Sequence, residues 1–580
     1  MREGAGVCRA GEARRLTGSL VVTTIAFVFV ACGSYVTATS PPTAALGSSM
    51  ASAGVSSAGV APQQEVPTNQ PPGVNRSALS ISALNYAYLR RAWEIAARSE
   101  LHSGSSMTWS EASQRWVGTS RSASAQSNDA QAAYNLEPVM RAGINIGVAC
   151  GDPRVLNELS QFYVMYSQRF VTLRGMRETG GAAGLQTSLL ANQGPDSAKT
   201  LEWVEKLKSG GRIRECTLCN SQFFHPAGHL IRVIAQMPTS QRTPEMIQFV
   251  RVYAPIIVSD HLIRLLYEAD WNYWGDTDLP KKLVPIWQAI MASKTPPRFS
   301  YQHAMSDIDL WIIATAAEML GANASDPSLV PLTADEKAKL RNAVGVGVRL
   351  FVSKRTLYPN TKNFQGTVVG SASYFNGEYD DQVENAYARY TGARFPTPAN
   401  KTPHPDVSWD ISHAYRIPVF LRSLYDNRAA TGVIFPSADD MRLVTNQFMY
   451  RVFQGDFSRP LFNNFFDGAN GWFRVGYARP DFGYPPAQYC DADNPNRPCL
   501  VIGTLQGWGL LVSFNPDLER LQSALVELAR EQNASAFKQR YYFYGGQAYS
   551  PIGSSGNLQY PLALFEVIAD DPALAGCGSR

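Results

Sequence analysis

The sequence predicts an all-α fold in which half-exposed helices wrap an inner set of buried ones, with a few short strands. Three observations carry this. Apolar residues recur at helical spacing from about Ala78 onward. Strand signals are short, confined to 107–118 and 471–478. The helices also alternate in character: 301–320 and 409–427 are apolar nearly all round, whereas 333–352 and 437–452 are amphipathic.

In chain order, residues 1–32 have the form of a signal peptide. Arg9, Arg14 and Arg15 give a basic start, and Leu20–Ala31 is an apolar run too short to span a membrane. It ends at Ala31-Cys32-Gly33, which resembles the bacterial lipobox and makes Cys32 the expected lipidation site. Phe29 stands where Leu is usual there, so cleavage without a lipid stays open. Residues 33–77, rich in Ser, Ala, Pro and Gly, read as a flexible tether because they lack the large apolar residues that offset ordering entropy. Residues 78–580 form the folded domain.

Within that domain, helical spacing marks 83–101, 132–149, 154–173, 244–269, 284–293, 307–320, 336–352, 382–392, 411–427, 438–455 and 516–532. Gly and Pro punctuate the junctions at 150–154, 293–300 and 395–405. Setting aside Cys8 and Cys32, six cysteines remain, an even number that suits disulfides in an exported protein. Cys490 and Cys499 bracket a turn-rich loop and are the expected bridge. Cys216 and Cys219 form a CxxC without the βαβ setting a redox motif requires.

The alternating helix pairs resemble an α/α toroid, as an incomplete or six-hairpin barrel, and the polysaccharide lyases and related glycan-active enzymes built on it. The resemblance covers most of 78–580 and is one of architecture alone. It implies a cleft at the loops leading into the buried helices, with His, Tyr, Asn and Arg as working groups and no metal or cofactor.

The residues offer candidates for such a cleft. In 409–428, Asp410, His413 and Arg416 fall at i, i+3 and i+6, with Tyr415 beside them. An Asp next to a His orients its ring and raises its basicity. The competing reading makes Asp410 a helix cap and His413 a surface residue. His225, His229, His261 and His303 sit at similar loop-to-helix junctions, as candidate substrate contacts. His225 and His229 also have a metal-compatible i, i+4 spacing, but no HExxH motif. Asp380 and Asp381, across from Asp307 or Asp309, supply the carboxylate pair a glycoside hydrolase needs. Trp472 and Arg474, in the Gly-rich loop 463–477, read as a sugar platform and a carboxylate clamp.

A net charge of +4 over 580 residues, with no basic patch, disfavours nucleic acid as a partner. P-loop, GxGxxG and GxSxG motifs are missing, which disfavours nucleotide binding and α/β-hydrolase chemistry. The expectation is an exported envelope protein, lipid-anchored or secreted, acting on a polysaccharide. Its leading chemistry is β-elimination on a uronic acid polymer. The alternatives are glycoside hydrolysis and a non-catalytic ligand-binding lipoprotein.

Overall fold

A computed structural model describes residues 129–167, 217–269, 282–292, 305–376, 385–402, 407–476, 479–491, 496–500, 507–530 and 535–544. It also describes the short pieces 90, 93–94, 107–110, 112–118, 171–172, 201–202, 204–206, 213–215, 280, 494 and 547–548. Residues 1–77, with Cys32, lie outside this set, as do Cys216, His303, Asp380 and Asp381.

The described residues are mostly helical. Strands β1 (Met107–Ser110) and β2 (Arg115–Gly118) form an antiparallel hairpin within the stretch 107–118 that carries a strand signal. Helices α1 (Asp129–Ala149) and α2 (Pro153–Ser167) follow as a pair. Gly151 takes a left-handed turn between them, and Asp152 accepts from the Arg154 N–H at 3.0 Å. Four short strands pair as β3 (Val171–Thr172) with β4 (Leu201–Glu202), and β5 (Val204–Lys206) with β6 (Ile213–Glu215).

Helix α3 (Thr217–Gln236) leads to α4 (Pro244–Pro255), capped by Thr243 with Pro244 at its first position. The helix then widens into a π-helical stretch, Ile256–Glu268. Helices α5 (Leu283–Ala292), α6 (Asp307–Ser325) and α7 (Ala334–Ser353) come next. Capping boxes start α6 with Ser306 and Asp309, and α7 with Thr333 and Glu336. A hairpin of β7 (Arg355–Tyr358) and β8 (Ala372–Phe375) packs on the helices.

The stretch 411–427 is expected as one helix but breaks at Tyr415 into α8 (Ile411–Ala414) and α9 (Arg416–Asp426). Pro418 lacks the N–H that would bond the Ala414 carbonyl, which accounts for the break. Helices α10 (Arg428–Thr431) and α11 (Ala438–Gln447) lead into a second π turn, Phe448–Val452. Helices α12 (Pro516–Arg530) and α13 (Ala536–Tyr542) come last, before the short strands β9 (Phe543–Tyr544) and β10 (Gln547–Ala548).

Two expectations fail. Residues 385–389 of the expected helix 382–392 form turns, and the described part of 471–478 makes a single β-bridge, Phe473 to Tyr484, rather than a strand.

The alternation of helix types follows burial. Helix α6 is buried along almost its whole length and α9 along most of it, while α7 and α11 keep one exposed face. Helices α3, α6 and α9 run in the same direction. Their early residues Gln222, Asp307 and Arg416 meet at one end, and their late residues Arg232 and Glu318 meet Asn427 at the other. Two glycines permit the close approach. A Cβ on Gly228 would touch Thr315 at 3.4 Å, and one on Gly321 would lie 1.7 Å from the Asn427 Oδ1.

Candidate functional site

The polar start of α8 and α9 is built on a strand-like crossing. Asp410 bridges Phe465, the Ile411 N–H donates to the Asn464 carbonyl at 3.0 Å, and the Phe466 N–H donates to the Trp409 carbonyl at 2.8 Å. Asn464 is itself fixed, its amide donating to the carbonyls of Gly471 at 2.9 Å and Pro485 at 2.7 Å. This frame holds the Asp410 carboxylate in two tasks. Oδ1 accepts from the Ser412 N–H at 3.0 Å and from the Ser412 hydroxyl, which caps α8. Oδ2 lies 2.6 Å from the His413 Nδ1. The capping and orienting readings therefore hold together.

Burial pushes the Asp410 carboxyl up. The His413 ring, the Arg474 guanidinium and the Ser412 hydroxyl outweigh that and leave it below the usual carboxylate range. An ionised Asp410 fixes the proton on the His413 Nδ1, which leaves Nε2 as the basic edge. Nε2 makes no hydrogen bond among the described residues, and the side chain is 18% exposed. Arg474, partly exposed and with its backbone in the left-handed region at φ 53°, lowers the Asp410 pKa through its charge. The arrangement can take a proton from a group presented to Nε2.

Comparisons with protein-family models, curated proteins and solved structures gave no match.

The other expected site residues lie deeper. Arg416 is buried, its guanidinium 3.4 Å from the Asp307 carboxylate, 3.3 Å from the Gln222 Oε1 and 5.0 Å above the Tyr415 ring. Tyr415 is buried in a cluster with Trp311, Val419 and Leu510. Arg416, Tyr415 and Asp307 thus join the three helices where contact with a substrate was expected. Asp309 is committed as well, accepting from Ser306 and, at 3.0 Å, from the Trp287 indole. Burial pushes its carboxyl up to about 6.

Trp472 corrects the expected sugar platform. It is fully buried, its indole donating to the Gly392 carbonyl at 2.8 Å, with Phe395 against its ring. Gly471 brings it there, since a Cβ at that position would lie 1.8 Å from the Ala388 carbonyl oxygen. His261 is buried in the π-helical stretch, 4.9 Å from the Phe224 ring.

His225 and His229 do not converge. The His225 Nε2 meets the Ser423 hydroxyl at 2.9 Å, and the His229 Nδ1 meets the Glu318 carboxylate at 3.2 Å. No group of three His, Cys, Asp or Glu side chains is placed to hold a metal ion among the described residues.

Sequence reading missed the network around Glu318. This fully buried carboxylate pairs with Arg232 and His229 and accepts from the Asn427 amide at 3.2 Å. Burial pushes it up, but Arg232 and His229 hold it well below the usual range. The signal was a lone Glu inside the apolar run of 307–325, which α3 and α9 had to satisfy.

Proposed function

We propose that this chain is an exported enzyme that cleaves a uronic acid polysaccharide by β-elimination, with His413 as the base. One observation carries the reading: Asp410, held ionised by His413 and by the charge of Arg474, orients His413 through Nδ1 and leaves Nε2 without a hydrogen bond among the described residues. Nε2 would remove the proton next to the uronate carboxyl. Arg474 would hold that carboxylate as negative charge builds on it. The C4–O glycosidic bond then breaks, C4 and C5 become doubly bonded, and the departing sugar oxygen takes a proton from solvent. The same-direction trio α3, α6 and α9 supports an α/α toroid, whose inner helices would open His413 onto a cleft. The engagement of Asp307 and Asp309 favours elimination over a hydrolase using those acids.

Disulfide bonding supports maturation in an oxidising compartment. Cys490 and Cys499 are bridged with an S–S distance of 2.04 Å, and Cys150 and Cys219 are also in disulfides. We place the mature protein in the cell envelope, anchored through lipid on Cys32 and reaching its substrate on the tether 33–77.

The test is a panel of uronic acid polysaccharides, with products followed by ultraviolet absorbance. A growing absorbance from unsaturated uronate, lost in His413→Ala, is the expected result. New reducing ends without that absorbance would establish hydrolysis. Binding without turnover would establish a ligand-binding lipoprotein.

A further inference from the structure

Near the Asp307–Arg416–Gln222 contacts, three polar groups on α3 and α6 are fully enclosed. The His225 Nδ1, the Ser221 hydroxyl and the Trp311 indole N–H are buried without a hydrogen-bond partner among the described residues. Ser221 and His225 stand one turn apart on one face of α3. Helical side chains lean toward the N-terminus, which carries the His225 ring toward Ser221. The Trp311 ring on α6 lies 4.8 Å from the His225 ring. The opposite edge of His225 is already fixed by Ser423 on α9.

Buried polar groups in folded proteins are almost always satisfied, and each exception asks for an explanation. Three exceptions around one histidine share one. We propose that this junction of α3, α6 and α9 is a buried site for hydroxyl groups, supplied by ordered water or by a small sugar. The chemistry fits a neutral ligand. The indole donates only, the serine hydroxyl donates or accepts, and the enclosed imidazole offers an edge of either kind without charge. A hydroxyl can give to one and take from another, whereas an anion would find no cation among these three. The inference is independent of the elimination chemistry at His413 and stands if that fails.

The test compares Ser221→Ala and Trp311→Phe with the parent chain by thermal unfolding at a matched scan rate. Removing a group that bonds a ligand leaves the ligand short of a partner. Removing a group that is buried and unbonded relieves a desolvation penalty. A lowered unfolding temperature in both variants, by about a degree or more, is expected. Unchanged or raised temperatures in both would overturn the proposal. Trp311→Phe also loses a little packing, so Ser221→Ala decides where the two disagree.

Neutral monosaccharides at millimolar concentration separate the two sources. A saturable rise in the parent that is absent in Ser221→Ala marks a sugar site. No rise, with the lowered temperature of the variant retained, marks ordered water.

Discussion

At the residue scale, the double duty of Asp410 changes what its replacement should do. Asn caps a helix about as well as Asp, so Asp410→Asn keeps the bond from the Ser412 N–H. It also sets an N–H donor or a weakened acceptor against the His413 Nδ1. The ring then turns to the other tautomer, and Nε2 carries the proton it should accept. Turnover of the polysaccharide identified by the panel should fall about 10²–10⁴-fold in Asp410→Asn, similar to His413→Ala, with the unfolding temperature little changed. Unchanged turnover would leave Asp410 a cap and nothing more. His225 makes a different prediction. Burial, opposed by Glu318, lowers its pKa from 6.5 to about 3. The unfolded chain therefore binds a proton that the folded chain refuses between those values, and stability is lost as pH falls through that window. Asp309 acts the other way. Held protonated up to about 6 against an ordinary 3.8, it removes stability as pH rises between them. In His225→Gln that contribution is gone, while Asp309 and the other shifted carboxylates keep theirs. Urea midpoints measured from pH 4 to 6 should then fall with rising pH relative to the parent, by at most about 1.4 kcal/mol per pH unit. Parallel profiles would remove His225 from the acid response.

At the element scale, the close packing of α6 against α9 rests on Gly321. A helical Gly→Ala exchange ordinarily stabilises by about 1 kcal/mol. Here the added methyl would overlap the Asn427 side chain, which donates to the Glu318 carboxylate and, at 2.8 Å, to the Ser423 carbonyl. Gly321→Ala should instead destabilise by about 1–3 kcal/mol, measured by urea denaturation. Combining it with Asn427→Ala should cost less than the two single losses together, because truncating Asn427 removes the overlap that the new methyl creates. Simple additivity would mean the two residues do not meet. The positions of α6 and α9 were legible because each is apolar over three turns or more, whereas α3 was not marked as a helix, its first half mixing Cys, Asn, Ser, Gln, His and Pro. The β7–β8 hairpin was not legible, since eleven of its residues from Asn360 to Gly370 form a turn-rich loop with no alternation of its own. The split at Tyr415 lay in plain sight as Pro418, but hydrophobic period outweighed it. The site was legible as far as the Asp410–His413 spacing reached. Spacing along one helix says nothing of a partner two hundred residues away, so Arg416 read as open when Asp307 and Gln222 had claimed it. Trp472 failed for a related reason: a Gly-rich loop signals a tight path, and here the path leads inward.

At the scale of the whole molecule, the proposed export has the most direct check. Cys32→Ser should move the protein from the membrane fraction to the soluble one if lipid at Cys32 is its anchor. Unchanged fractionation would rule that anchor out. The same-direction trio has a consequence for the order in which the chain is made. Helices that run alike cannot be joined by a short turn, so every contact among α3, α6 and α9 spans a long stretch of sequence. Arg416 reaches Gln222 across 194 positions, His225 reaches Ser423 across 198, and Asn427 reaches Glu318 across 109. A growing chain that has just finished α6 already holds Gln222, His225 and Glu318, but the groups that complete their bonds on α9 do not yet exist. Enclosing them at that stage would leave the His225 Nε2 and the Gln222 amide oxygen short of their α9 partners, although Glu318 already meets Arg232 and His229 on α3. The first half is therefore held back from closing until the second arrives, and folding is slow to begin, as expected where contacts are distant in sequence. For a chain exported as proposed, that delay would keep it threadable until its last helices are through.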